Sequence, residues 1–526
     1  MPVPPQLQTT RRSSRRPKGS RRKRGLARLL ILIVLVVALI AAVSLLAAAR
    51  APHPDSASAR SVSPPSAAPV GSSVGSENKP TPSPAASQGS AMNSRAAAAQ
   101  PISDPALQAG IAAALRSDGL VGTRSAVYVY DLSAAHALYA RNARTDLLPA
   151  SNEKLITTAA ALAKWGADYR FTTALYTTGM IDDRGVYRGP IYLKGYGDPS
   201  LSTVAYQRGV LHLRTSRLSD FVTALRSQGV KRIEGSIVGD ASYFDAARTV
   251  RVWKPGMSID CGPLSALSLN EDVAPNGRRA ADPPLSVAAS LTALLRHSGI
   301  PVSGRPRVGT TPSIARLAYT ERSAPLSAIV AVMNKSSDNF FAEMLTKGLG
   351  ASFGGAGSTA AGVEVERAFL VSQGIAPQSL ALTDGSGLSY ADRLTALDLT
   401  DLLKEMAHSS DWPVFLGSLS VAGVDGTLAQ RMRGGAAQGR LHGKTGTLTV
   451  ASSLSGYVKS ADGAWLAYAI LMNKDPINLI AAHAAQDAIG VALARSRPPL
   501  GTAAWTSSSV LSAVSAVRST ASSAGS

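Results

Sequence analysis

A mixed α/β (α+β) fold in two packed units with non-globular ends is the class this sequence predicts. Its 526 residues exceed one ordinary domain, and a hydrophobic content of 45% is enough to fill real cores. Apolar residues at helical spacing alternate with runs of β formers through the middle of the chain. The clearest β signal comes last: Thr447 to Val458 and Trp465 to Met472 flank Ser460-Ala461-Asp462-Gly463, which reads as an antiparallel hairpin with its turn.

The chain opens on a basic tail, residues 1–28. Arg11, Arg12, Arg15, Arg16, Lys18, Arg21, Arg22, Lys23, Arg24 and Arg28 carry ten positive charges of a chain whose formal net charge is +20. This cluster abuts an apolar segment, so it argues for a membrane and against a nucleic-acid partner. Residues 29–49 hold 21 residues without a charge, which meets the length of about 20 that a bilayer core requires. With the arginines kept in the cytoplasm, the segment predicts a single-pass anchor in the cell membrane and an extracytoplasmic remainder. Ala47-Ala48-Ala49 offers small residues for cleavage, which would make the protein secreted, but the apolar run is longer than a signal peptide needs. Residues 50–103 are Ala, Ser and Pro with few large apolar side chains, and read as a disordered linker. Cys261 is the only cysteine, which excludes an internal disulfide and a Cys-based metal site.

Folding is expected from Asp104. Leu107, Ile111 and Leu115 mark a helix, Ser125 to Asp131 a strand, and Ala137 to Ala140 its hairpin partner. Leu155, Ala159 and Leu162 mark the next helix, entered through Pro149. Strand-like runs follow at Arg170 to Thr177, Val186 to Lys194 and Arg232 to Val238, with helices at Leu218 to Gln228 and Leu285 to Ser298. This mixed region reads as an insertion, partly a second domain. Helical patterns resume at Pro325 to Leu349, Ala360 to Gln373 and Ala396 to Ala407. Leu479 to Arg495 closes the fold before a disordered Ser/Ala tail, residues 497–526.

Three short motifs carry chemistry. Ser151 and Lys154 stand three apart at the start of a helix, where side chains one turn apart share a face, so the amine can take the proton of the hydroxyl if burial depresses its pKa. Ser-x-x-Lys also occurs at Ser20 and Ser76, but in stretches that cannot form a pocket. Ser337 and Asn339 present a hydroxyl and an amide near a helix start. Lys444-Thr445-Gly446-Thr447 leads into the terminal hairpin, where a strand edge can pair with a peptide: Gly446 lets it approach, and Lys444 and Thr445 attract a carboxylate.

In this order the motifs are those of β-lactamases and penicillin-binding proteins. The chain resembles class C low-molecular-mass penicillin-binding proteins, the D-alanyl-D-alanine carboxypeptidase/endopeptidases of peptidase family S13. Leu193 to Pro199, Gly235 to Asp245, Leu264 to Asn270 and Asp384 to Ser389 also resemble that family's segments. The resemblance implies a serine β-lactamase/transpeptidase-like domain, an antiparallel sheet flanked by helices, at residues 104–172 and 313–496, with an inserted domain at 173–312. Only Glu271 to Ala281 separates Asn270 from Asp282, so the further module of the longest members is expected to be missing. The resemblance makes Ser151 the nucleophile, Lys154 its base, Ser337 and Asn339 the proton shuttle and substrate-orienting pair, and Lys444 and Thr445 the carboxylate site. The N–H groups of Ser151 and Thr447 become the oxyanion hole, with no metal or other cofactor. It implies peptidoglycan stem peptides as substrates and β-lactams as covalent inhibitors. A β-lactamase-type hydrolase and a non-catalytic wall-binding protein are the rival readings; the long insertion and tether suit a polymer better than the first, and the Ser151–Lys154 pair has no use in the second.

Overall fold

The computed structural model describes residues 104–273, 277–375 and 380–498. The basic tail, the 29–49 segment, the linker to residue 103 and the tail from residue 499 lie outside the described residues. Among the described residues no helix is long and apolar enough to cross a membrane.

Six strands form the main sheet, in the order Ser420–Val421, Leu441–Leu448, Ala451–Lys459, Trp465–Asn473, Arg124–Asp131 and His136–Arg141, all antiparallel. Side chains alternate across a strand, and Trp465–Asn473 uses both faces. Tyr468, Ile470 and Met472 join Val127, Val129 and Leu454 under the helices Pro105–Leu115 and Leu479–Arg495. Ala467, Ala469 and Leu471 face the other way, where small side chains admit the helices Lys154–Trp165, Leu326–Ser336, Asn339–Phe353 and Ala396–His408. The sheet is therefore a dry middle layer between helices.

A second group of strands follows the helix Lys154–Trp165. Arg316–Arg322, Thr172–Thr177, Ile191–Gly195, Ile237–Asp240 and Arg307–Val308 make a five-stranded sheet, and Met180–Ile181, Val186–Arg188 and Arg232–Glu234 a three-stranded one. The helices Leu218–Ser227 and Pro283–His297 share an apolar core with them.

Three sequence expectations are corrected here. The runs Val186 to Lys194 and Arg232 to Val238 are not single strands: each breaks and passes from the small sheet to the larger one. They turn together where Gly189 and Pro190 lie against Gly235 and Ser236, with Gly189 N–H on Glu234 O at 3.1 Å and Ile191 N–H on Ser236 O at 3.0 Å. A Cβ at Gly235 would stand 1.8 Å from Gly189 O, so the crossing needs a glycine. The helical pattern Pro325 to Leu349 is two helices, broken where Ser337 takes φ 59 and Asp338 caps the second by accepting from Phe341 N–H at 2.9 Å. The run from Thr447 to Val458 is likewise two strands, Leu441–Leu448 and Ala451–Lys459, joined at Thr449 and Val450 without the usual Gly, Asn or Asp.

Ile470, fully buried at the centre of the middle layer, should report the stability of the whole. Ile470→Ala is expected to cost about 2–5 kcal/mol and Ile470→Val about 0.5–1.5 kcal/mol, read as shifts of the urea unfolding midpoint.

Candidate active site

The turn Ala150–Glu153 delivers Ser151 to the floor of a cleft of about 630 Å³, and the helix Lys154–Trp165 follows at once. Ala150 takes φ 48, a left-handed conformation that a residue with a Cβ adopts only under constraint. The constraint is packing: the carbonyl of Ala150 lies so close to Gly387 that a Cβ there would sit 2.0 Å from it. Ser453 Oγ donates to Pro149 O at 2.6 Å and Asn152 Nδ2 to Lys444 O at 2.9 Å, tying the turn to the sheet.

Lys154 is fully buried, and its Nζ meets three oxygens: Ser151 Oγ at 3.0 Å, Asn339 Oδ1 at 2.7 Å and the carbonyl of Ser386 at 2.6 Å. A neutral amine has two N–H bonds and one lone pair. The amide oxygen and the carbonyl can only accept, so they take the two hydrogens and leave the lone pair facing the serine hydroxyl. Burial pushes the lysine pKa down to about 8, against the acidic groups of Asp384, Asp338 and Glu343, which pull it up when ionised. The arrangement is a serine beside an aimed base.

The other two motifs meet across the cleft. Lys444 Nζ donates to Ser337 Oγ at 2.7 Å and to Thr445 O at 2.9 Å. Burial, and then the cation of Lys154, hold the Lys444 pKa well below its usual value. The strand Ser420–Val421 pairs with Gly443 and His442, so from Lys444 onward this edge of Leu441–Leu448 has no neighbouring strand among the described residues and lines the cleft through Thr445 and Thr447. Gly446 lies between this edge and the nucleophile turn. A Cβ there would stand 2.8 Å from Pro149 O and 3.0 Å from Ser151 N, so the glycine serves contact between strand and turn, where the sequence suggested room for a ligand.

All eight residues expected from the sequence thus converge: Ser151, Ser337, Asn339, Thr445 and Thr447 line the cleft, Lys154 and Lys444 lie buried against Ser151 and Ser337, and Gly446 sits between strand and turn. Sequence reasoning missed four partners. Ser386 holds the base by its carbonyl, and Asp260 accepts from Asn339 Nδ2 at 2.9 Å by its own carbonyl, and main-chain roles leave no residue-type signal. Thr427 Oγ1 accepts from Thr445 Oγ1 at 2.8 Å from an irregular turn. Glu343 accepts from Ser386 N–H at 2.9 Å, and its spacing of four from Asn339 on one helix was a readable clue. Among the described residues no group of three or more His, Cys, Asp and Glu is arranged to hold a metal ion.

A family model described as D-Ala-D-Ala carboxypeptidase 3 (S13) matches residues 107–276 and 264–496. The chain is similar to a D-alanyl-D-alanine carboxypeptidase of Actinomadura sp., 33% identical over 473 residues and covering 74% of this chain and 84% of that one. It is also similar to a carboxypeptidase of Mycobacterium tuberculosis, 30% identical over 394 residues, covering 71% and 82%. Among solved structures, penicillin binding protein 4 of Haemophilus influenzae aligns with a TM-score of 0.61 at 21% identity, covering 73% of this chain and 99% of that one, and the two share a fold.

The state of the base fixes a pH dependence. Lys154 accepts the Ser151 proton only when neutral, so acylation of Ser151 by an activated ester should rise with pH through about 8 and then level off. Mass spectrometry of the adduct against time gives the profile, and one that is flat across this range would remove the proton acceptor from Lys154.

Proposed function

This chain belongs to the D-Ala-D-Ala carboxypeptidase 3 (S13) family, whose work is serine carboxypeptidase cleavage of peptidoglycan stem peptides, and we propose that its acyl-enzyme forms on Ser151. The observation that carries this assignment is the buried amine of Lys154 held between Ser151, Asn339 and Ser386, opposite the Ser337–Lys444 pair. Lys154 takes the hydroxyl proton as Ser151 Oγ attacks the carbonyl of the penultimate D-Ala. The developing oxyanion is met by the N–H groups of Ser151 and Thr447. The proton taken by Lys154 is relayed through Ser337 to the amine of the departing D-Ala, and Asn339 orients the peptide. Lys444 and Thr445 receive the terminal carboxylate; water then hydrolyses the ester. Endopeptidase cleavage is the same sequence with a cross-linked strand as the leaving amine. A β-lactam reproduces the reacting amide inside a ring, so its leaving group stays tethered and obstructs water.

The enzyme works outside the cell membrane, tethered by the apolar segment at 29–49 and the linker to residue 103; the support for this is the arginine cluster that precedes the segment. Protease added to intact protoplasts should remove the catalytic region and spare the basic tail. A soluble protein starting near Arg50 in the medium would instead mean cleavage.

The chemistry is tested at three residues. Ser151→Ala should abolish both D-Ala release and the stable penicillin adduct, and Lys154→Ala should slow acylation about 10²–10⁴-fold at the same site. Lys444→Ala should weaken turnover of a peptide ending in a free carboxylate far more than of its amidated analogue. Rapid multiple turnover of penicillin, an adduct mapped away from Ser151, or equal losses on the two peptides would contradict these assignments.

A further inference from the structure

Asn339 and Glu343 stand four residues apart on the helix Asn339–Phe353, so their side chains leave the same face. Asn339 Oδ1 takes one hydrogen of the Lys154 amine directly, at 2.7 Å. The second acceptor, the Ser386 carbonyl, belongs to a turn that Glu343 holds: its Oε1 accepts from the main-chain N–H of Gly385 at 3.1 Å and of Ser386 at 2.9 Å. Two other contacts complete the grip. Thr157 Oγ1 donates to Gly385 O at 2.8 Å, and Asp384 Oδ1 accepts from Gly387 N–H at 2.7 Å, in the same peptide plane as the Ser386 carbonyl. One face of one helix therefore governs both acceptors that aim the lone pair of the base.

We infer that Glu343 is a positioning residue for Lys154, acting through the Asp384–Gly387 turn, and that it does so as the uncharged acid. The inference rests on the assignment of Lys154 as base. Glu343 is fully buried; Oε1 accepts from two neutral N–H groups, and Oε2 has no hydrogen-bond partner among the described residues. The charged and titratable groups around it are Asp384, Glu366, Glu153, Cys261 and Lys154. Those facing Lys154 are Asp384, Asp338, Glu343, Cys261 and Lys444. Burial, with Asp384 beside it, pushes the Glu343 pKa up to about 8. Below that pH the group keeps its proton, holds the turn as an acceptor and adds no anion beside the amine. Above it the carboxylate favours the lysine cation, and so draws the acid limb of the reaction upward.

Glu343→Gln keeps an acceptor for the two N–H groups and cannot ionise; Glu343→Ala removes the acceptor. In the full chain, penicillin acylation of Ser151 measured against pH should have its acid limb at lower pH in Glu343→Gln than in the wild type. Glu343→Ala should lower kcat for D-Ala release on the order of 10²-fold, as expected for a misplaced base, with KM little changed, and Glu343→Gln should restore most of that loss. A Glu343→Gln profile that superimposes on the wild type overturns the inference, as does an alanine variant with wild-type kcat. If the alanine variant folds poorly, the glutamine profile alone decides. D-Ala release by the wild type from a stem pentapeptide tests the function itself, so a chain that penicillin acylates but that releases no D-Ala fails the proposed function and leaves the role of Glu343 standing.

Discussion

A lysine amine that must be buried, neutral and aimed is the constraint on which this structure depends. Burial disfavours the cation by removing the water that stabilises it, but a buried polar group without partners costs free energy, so the partners have to be supplied. Here they come from three places far apart in the chain: the turn before the helix, Asn339, and the carbonyl of Ser386. The donor count then selects the chemistry. An ammonium has three hydrogens and would use Ser151 Oγ as an acceptor; the free base has two, and only with two does the serine hydroxyl become the donor.

The architecture follows from bringing those segments together. The strand Leu441–Leu448 is covered on one side along its whole length and on the other, among the described residues, by Ser420 to Ala422 at Leu441 to Gly443, so the same strand is core for one half and open edge for the other. The nucleophile turn seats against it because Gly446 has no side chain and because Asn152 and Ser453 bridge the gap. The break between the helices Leu326–Ser336 and Asn339–Phe353 serves the same end. In an unbroken helix Ser337 and Asn339 would point about 200° apart, at 3.6 residues per turn; the left-handed Ser337 and the cap at Asp338 let both face the cleft.

Much of this was legible in the sequence, for physical reasons that also explain the rest. Leu107 and Ile111 announce a helix because one face is buried and the period shows; Leu155, Ala159 and Leu162 show the period although Lys154 to Leu162 are buried all round. The alternation in Trp465–Asn473 is muted, since both faces are covered and apolar or aromatic residues fill every position from Trp465 to Met472. The break at Ser337 lay inside a continuous apolar pattern, with the period restarting after the cap, and its signal was the pair Ser337 and Asp338, residue types favoured at a helix start. The sheet crossing at Gly189 and Gly235 was hidden differently, because each run keeps its β formers on both sides of the bend. The site was readable where side chains act, at Ser151, Lys154, Ser337, Asn339 and Lys444. It was silent where main-chain atoms act, at Ser386 and Asp260, since a carbonyl is the same in every residue.

The two lysines are not independent. Lys444 is fully buried beside Ser337, and its cation is disfavoured by burial and then by a charged Lys154, so the site resists holding both protons. A carboxylate arriving at Thr445 changes the balance by offering Lys444 an opposite charge within hydrogen-bond reach. Once Lys444 is cationic, the like-charge term acts in the other direction and disfavours a proton on Lys154. On the proposed roles, recognition of the peptide's end and release of the base are one electrostatic event, for Ser337 lies against Lys444 and Asn339, two residues on, against Lys154. A ligand without the carboxylate still reaches Ser151, but it meets a base whose proton the site has done less to expel.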